Sequence, residues 1–109
     1  MEYINRNEKV VFLTAFKGDK FTLLRSINNL LKVMDHNDIW IIVLDNLDFQ
    51  NLVVDKRITI LNNKQKPGAG NTRNIGLDYI ISIGLNNFLL WPIDADDSLT
   101  KNSRDLIDQ

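Results

Sequence analysis

Four short apolar segments recur along the chain, separated by longer segments with a mixed or helical pattern. Each one is rich in β-branched, aromatic or leucine residues and has few polar positions, which is typical of strands buried on both faces. We therefore predict four strands, at Val10–Phe16, Ile39–Leu44, Arg57–Leu61 and Asn87–Asp94.

Two of the intervening segments have the spacing of amphipathic helices. The first begins near Asp19 and repeats apolar residues at helical intervals, at Leu23, Leu24, Ile27, Leu30, Leu31 and Met34. The second begins at Thr72, a predicted cap, and ends at Gly84, where a C-terminal stop is expected. One face of it carries Ile75, Tyr79 and Ile83. We also predict a helical turn around Gln50–Val53 and the start of a final helix near Ser98.

Strands that alternate with helices predict an α/β fold with a doubly wound, mainly parallel sheet and helices on both faces. The 109 residues are enough for one domain, which we place at residues 1–109. Right-handed crossovers bring the carboxyl ends of parallel strands to one edge, where sheets of this kind bind ligands. The functional residues are therefore expected at that edge.

The composition is that of an ordinary globular domain, and it argues against several classes of function. The formal net charge is -1, so we expect no nucleic-acid partner that binds through a strongly positive surface. The absence of cysteine excludes disulfides, thiolate zinc sites and cysteine nucleophiles. No apolar run approaches the roughly 20 residues of a membrane span. We expect a cytoplasmic protein with no membrane span in this chain.

Three carboxylates cluster at the end of the fourth predicted strand, at Asp94, Asp96 and Asp97. Like charges this close repel each other, so the cluster favours binding of a cation over a solvated loop. Oxygen ligands and the lack of cysteine favour Mg²⁺ or Mn²⁺. One alternative is that Asp97 or Ser98 caps the next helix. An EF-hand is disfavoured, because Leu99 stands where its loop requires glycine.

The segment "PGAGNTRN" after the third strand lies at the same edge as the acids. It lacks the G-K-[ST] of a Walker A loop and does not follow the first strand, as a dinucleotide fingerprint would. The plain alternative is a flexible connector. Its basic neighbours, Lys64, Lys66 and Arg73, favour contacts with phosphate oxygens.

Four motifs occur in order along the chain: "LTAFK", "LDNLD", "GAGNTRNIGL" and "DADD". Together they resemble the nucleotide-sugar-binding half of GT-A glycosyltransferases, most like the inverting family 2. That family has I-P-x-Y-N, V-D-D-G-S, G-x-x-x-A-R-N-x-G and D-A-D-D at these places. The third motif contains Gly70 and matches the family spacing at Arg73, Asn74 and Gly76, and the fourth is identical. The first departs at Thr14, Phe16 and Lys17. The second keeps Asp45 but has Asn46 and Asp48.

The resemblance implies a Rossmann-like donor site for a nucleotide diphosphate sugar, with a uridine diphosphate sugar as the expected donor. The implied nucleotide-binding residues are Thr14, Ala15, Phe16, Asp45, Asn46, Gly70, Arg73, Asp94 and Asp96. Asp96 and Asp97 would hold Mn²⁺ or Mg²⁺. The metal would neutralise charge that develops on the leaving diphosphate. The acceptor would be a glycan or a lipid-linked hydroxyl, in a pathway such as polysaccharide biosynthesis.

The family's acceptor half and its catalytic base are not expected within these 109 residues. The fourth strand and the helix near Ser98 would then expose an apolar surface, from which we expect self-association. Two other functions stay open. One is a nucleotidyltransferase-like α/β enzyme, and the other is a non-catalytic module that binds a nucleotide sugar or a protein.

Overall fold

The computed structural model describes residues 9–49, 52, 55–85 and 88–94. These residues form four strands and two helices: β1 (Lys9–Phe16), α1 (Lys20–Leu31), β2 (Ile39–Asp45), β3 (Ile58–Asn63), α2 (Ala69–Ser82) and β4 (Phe88–Pro92). The order of the strands and helices is the one predicted from the apolar pattern. The predicted turn at Gln50–Val53 lies largely outside the described residues, and the final helix near Ser98 lies wholly outside them.

The four strands form one parallel sheet in the order β3-β2-β1-β4. The chain builds outward from β1 through β2 to β3 and then returns to place β4 on the other side of β1. The strand order therefore reverses between β1 and β4, the position at which open α/β sheets bind ligands. The prediction of an α/β fold with a parallel sheet is confirmed. The doubly wound arrangement stays a prediction, since four strands and two helices are described.

Two apolar clusters use alternate positions of the same strands. Phe12, Trp40 and Ile42 belong to the first cluster, together with Leu23, Ile27 and Leu30 of α1. Leu13, Ile41 and Val43 belong to the second, together with Ile80 of α2. Successive side chains of a strand point to opposite faces, so β1 and β2 contribute to both clusters and have almost no polar positions. This burial explains the uninterrupted apolar runs in the sequence.

Helix α1 follows the predicted pattern closely. Its N-cap is Asp19, whose carboxylate accepts a hydrogen bond from the Thr22 amide at 2.7 Å. That bond lowers the pKa of the Asp19 carboxyl. Of the predicted apolar positions, Leu24 departs from the pattern, because its side chain is 36% exposed.

Helix α2 begins earlier than predicted, at Ala69, and its N-cap is Gly68 with a φ of 124°. Thr72 is therefore not the cap but a buried residue of the first turn. The prediction of Gly84 as the stop is confirmed, since it has a φ of 67° directly after the helix. The prediction that Ile83 lies on the packed face is wrong, because this side chain is 44% exposed.

An ion pair lies at the amino end of β3. Arg57 donates from Nε to Asp55 Oδ1 at 2.8 Å and from Nη2 to Asp55 Oδ2 at 3.0 Å. Its Nη1 also donates to the Met34 carbonyl at 3.2 Å, beyond the end of α1. These bonds lower the pKa of the Asp55 carboxyl to about 2. The pair therefore ties the α1–β2 connection to the start of β3, at the edge opposite to the predicted site.

Candidate functional site

Three adjacent depressions lie at the carboxyl edge of the sheet, and Ala15 at the end of β1 lines all of them. The first, of about 190 Å³, also has Arg73 and Asp94 in its wall. The second, of about 180 Å³, has Asp45 and Gly68. The third, of about 350 Å³, has Lys17 and Asp94. The carboxyl edge predicted for a parallel sheet therefore brings the ends of β1, β2 and β4 together with the start of α2.

The last residues of β1 lie partly in the core and partly along the depressions. Thr14 is fully buried, and its hydroxyl bonds within the sheet instead of facing the depressions. Ala15 and Phe16 both line the depressions, although the Phe16 side chain is only 3% exposed. The Phe16 ring lies 6.3 Å from the ring of Phe49, at 56°. Phe16 therefore forms part of the floor of the site and offers little free ring surface for stacking.

Asp45 ends β2 and connects it to the loop before α2. One carboxylate oxygen accepts a hydrogen bond from the Gly68 amide at 3.1 Å, and the other accepts one from Asn46 Nδ2 at 3.0 Å. The Gly68 bond, the Asn46 bond and the nearby Lys17 charge lower the pKa of the Asp45 carboxyl. Asp45 is 5% exposed. Its ionised carboxylate lines the second depression and also anchors the loop before α2.

Asn46 has left-handed backbone geometry, with a φ of 54°. Asparagine tolerates this region better than most residues, because its short side chain can bond locally. Here Asn46 Nδ2 also donates to the Gln65 carbonyl at 3.3 Å, and the Asn46 amide donates to the Asn63 carbonyl at 2.8 Å. Asn46 does not line the second depression but a separate one, with Asp48 and Lys64.

Asn63, the last residue of β3, was not among the predicted site residues. It is 1% exposed and donates from Nδ2 to the Lys66 carbonyl at 2.8 Å and to Thr72 Oγ1 at 3.1 Å. Its Oδ1 accepts a hydrogen bond from the Gln65 amide at 3.0 Å. One buried amide thus holds the loop on one side and the first turn of α2 on the other. An asparagine at the end of a strand, four residues before a Pro-Gly pair, is the sequence signal that could have identified it.

The residues predicted from the "GAGNTRNIG" motif have three different positions. Arg73 is exposed and lines the first depression with Asp94. Gly70 is exposed with open space around it, while its neighbours Gly68 and Ala69 line the second depression. Gly76 is buried against the sheet, where an added Cβ would collide with Leu13 Cδ1. Gly76 therefore serves the packing of α2.

Of the acidic cluster, Asp94 lies within the described residues, and Asp96 and Asp97 lie outside them. Asp94 is exposed and lines both the first and the third depression. Within residues 9–94 as described, no three His, Cys, Asp or Glu side chains are grouped to hold a metal ion. The predicted metal ligands Asp96 and Asp97 stay a prediction.

The charges around Ala15 alternate in sign. Arg73 and Asp94 share the first depression, Asp94 and Lys17 share the third, and Lys17 and Asp45 share the second. Such an edge can receive a ligand that carries anionic groups beside hydrogen-bond donors, or an anion together with a cation. It has no histidine or cysteine among the residues that line the three depressions.

A scan against protein-family models, a search of curated proteins and a search of solved structures each found no match for this chain. Among the described residues, neither helix has the length and apolar character needed to cross a membrane.

Proposed function

We propose that this chain is the donor-binding part of a glycosyltransferase with a doubly wound, Rossmann-like sheet. It would bind a nucleotide diphosphate sugar with Mn²⁺ or Mg²⁺ and transfer the sugar to an acceptor hydroxyl. The observation that carries the proposal is that one described residue from each of the four sequence motifs lies at the same edge of the sheet. Ala15, Asp45, Arg73 and Asp94 each come from a different motif and line adjacent depressions.

In this proposal, the second depression binds the nucleoside end of the donor. It lies between the ends of β1 and β2, and Gly68 and Ala69 form its third wall. The loop that carries Gly68 is held in place by Asp45 and Asn63 before any ligand arrives. A pre-formed wall lowers the ordering cost of binding, which suits a small planar group such as a base.

In this proposal, the first and third depressions bind the diphosphate end of the donor. Lys17 and Arg73 supply positive charge on either side of Ala15, and Asp94 lies in both depressions. Cationic side chains attract phosphate oxygens, and an exposed carboxylate suits a hard divalent cation. When bound, the metal would supply charge neutralisation for the leaving diphosphate. In this proposal, Lys17 and Arg73 orient the phosphates and Asp94 orients the ribose or the metal.

Titration calorimetry of uridine diphosphate with and without Mn²⁺ tests the proposal. We expect affinity to rise by about tenfold or more with the metal, because phosphate oxygens complete its coordination shell. Uridine, which lacks the diphosphate, should show no dependence on the metal. Equal affinity for the diphosphate in both conditions, or no binding in either, would contradict the proposal.

A matched pair of variants locates the effect. Asp94→Asn should weaken metal-dependent binding, because the substitution removes the carboxylate that lines two depressions. Asp78→Asn makes the same chemical change at an exposed position of α2 and should bind as the wild type does. Equal binding by both variants would exclude Asp94 from the site.

A further inference from the structure

A hydrogen-bonded chain of buried groups crosses three strands just behind the candidate site. The indole Nε1 of Trp40 on β2 donates to Thr14 Oγ1 on β1 at 2.9 Å. Thr14 Oγ1 in turn donates to the carbonyl of Ile93, directly after β4, at 2.8 Å. Thr14 is 0% exposed, Trp40 2% and Ile93 7%. The bond between Trp40 and Thr14 is therefore shielded from water.

The register of the strands explains how the side chains reach each other. Trp40 pairs with Phe12 and Thr14 pairs with Ile42, so Trp40 and Thr14 are diagonal neighbours on one face of the β1–β2 pair. A diagonal separation is within reach of a large aromatic side chain. The chain of bonds therefore depends on an indole at position 40 and a hydroxyl at position 14.

The direction of the bonds is fixed by chemistry. An indole N–H can only donate, so the Thr14 oxygen must accept from Trp40. The single hydroxyl proton is then left for the Ile93 carbonyl, which can only accept. Neither bond can reverse, so the arrangement has one hydrogen-bonded state and holds the Ile93 carbonyl in one orientation.

The Ile93 carbonyl belongs to the same planar peptide unit as the amide of Asp94. The Ile93 amide is also held, since it donates to the Leu13 carbonyl at 3.0 Å. Both the amide and the carbonyl of Ile93 are therefore bonded to β1, and these two bonds set the direction in which the chain leaves the sheet. Asp94 is the next residue and is the exposed acid that lines two of the depressions.

We propose that Thr14 and Trp40 are positioning residues that orient Asp94 through the Ile93 carbonyl. The inference deepens the proposed function and rests on it for the consequence in ligand binding, but the local orientation itself can be measured without a ligand. A carboxylate misplaced by about 1 Å binds or orients its ligand markedly less well. Loss of the Thr14 hydroxyl should therefore act on Asp94, although Thr14 itself does not reach the depressions.

Three variants separate positioning from plain stability. Thr14→Val removes the hydroxyl with little change in shape and strands the Trp40 N–H and the Ile93 carbonyl. Thr14→Ser restores the hydroxyl, and Trp40→Phe removes the first donor together with part of the buried ring. Ile58→Val changes a buried residue at the amino end of β3 that pairs with Trp40, so it is the control that loses packing beside Trp40 but keeps both hydrogen bonds.

The first measurement needs no ligand. Amide hydrogen exchange by NMR should become at least about tenfold faster at Ile93 in Thr14→Val, relative to Ile41 and Ile42 in the centre of β2. Thr14→Ser should stay close to the wild type, and Trp40→Phe should lie between the two. In Ile58→Val the ratio of Ile93 to Ile41 exchange should not change. A uniform rise at all these amides in Thr14→Val would overturn the proposal.

The second measurement is the affinity for uridine diphosphate with Mn²⁺, taken well below the unfolding temperature of each variant. Thr14→Val should bind about tenfold more weakly, and Thr14→Ser and Ile58→Val within about twofold of the wild type. Wild-type affinity in Thr14→Val would overturn the positioning role. If the wild type does not bind uridine diphosphate, the proposed function is wrong. The positioning of Ile93 is then tested by the hydrogen-exchange measurement alone. If Thr14→Val does not fold, Trp40→Phe against Thr14→Ser makes the same comparison.

Discussion

Asp45 shows how one side chain can serve both the fold and the site. Its two oxygens accept from Gly68 and Asn46, so the carboxylate ties the end of β2 to the loop that walls the second depression. The family resemblance of the "LDNLD" motif implied Asp45 as a nucleotide contact. It could not predict the bond to Gly68, because this bond joins residues 23 positions apart and depends on how the loop closes.

Asp45→Asn should loosen this loop and lower the melting temperature at neutral pH, because an amide presents one acceptor where the carboxylate presents two. The pKa of Asp45 is lowered from 3.8 in the folded state. Its stabilising contribution is therefore fully present above pH 3.8 and is lost as the pH falls through the lower folded value. Thermal melts of both proteins between pH 2 and 7 should show a gap that closes at low pH. A gap that does not change with pH would contradict the assignment.

Asp97 lies outside the described residues, so its role is still the one expected from the sequence. Asp97→Ala should abolish metal-dependent nucleotide binding and leave the fold intact, since removing one of several like charges seldom destabilises a protein. Calorimetry with Mn²⁺ and circular dichroism check the two halves of this prediction. Asp78→Ala on α2 is the control. Normal binding by Asp97→Ala would mean that Asp97 serves only as a helix cap.

At the level of elements, the apolar pattern predicted every described strand and helix, but it misplaced the start of α2. The prediction relied on Thr72 as a side-chain cap, whereas the helix begins at Ala69 behind Gly68, which has no side chain to cap it. Tertiary contacts decide this end: Asp45 holds the Gly68 amide, and Asn63 bonds to Thr72. No local propensity in "KPGAGNT" reveals those contacts, which explains why the boundary could not be predicted.

Gly76 sets how closely α2 approaches the sheet. An added Cβ would collide with Leu13 Cδ1 and lie 3.0 Å from Val43 Cγ2, both in the centre of the second cluster. Gly76→Ala should therefore destabilise the protein by about 1–3 kcal/mol in spite of the better helix propensity of alanine. Gly70→Ala, where a Cβ meets nothing within 4 Å, is the matched control and should be neutral or stabilising. Urea denaturation measures both, and equal midpoints would contradict the close approach.

At the level of the whole molecule, the sheet has two edges in the described residues, β3 and β4. The edge that carries the depressions followed from the parallel arrangement of the strands, which the sequence predicted through its alternation of strands and helices. The polar network behind the site did not follow, because the partners of Thr14 and Asn63 lie on other elements. Sequence periodicity reports which residues are buried, but not which buried polar atoms meet.

The β4 edge carries the prediction of self-association. Phe88, Leu89, Leu90 and Trp91 are all partly exposed, and β4 pairs with β1 on one side. An apolar edge strand offers both unpaired backbone groups and apolar side chains to a second copy. Light scattering over a concentration series should therefore show a rising apparent mass.

Phe88→Lys should reduce this rise in apparent mass by placing a charge on the edge. Ile81→Lys removes a side chain that is 76% exposed on α2 and should leave the rise unchanged. A constant monomer mass at every concentration would show that β4 does not mediate association.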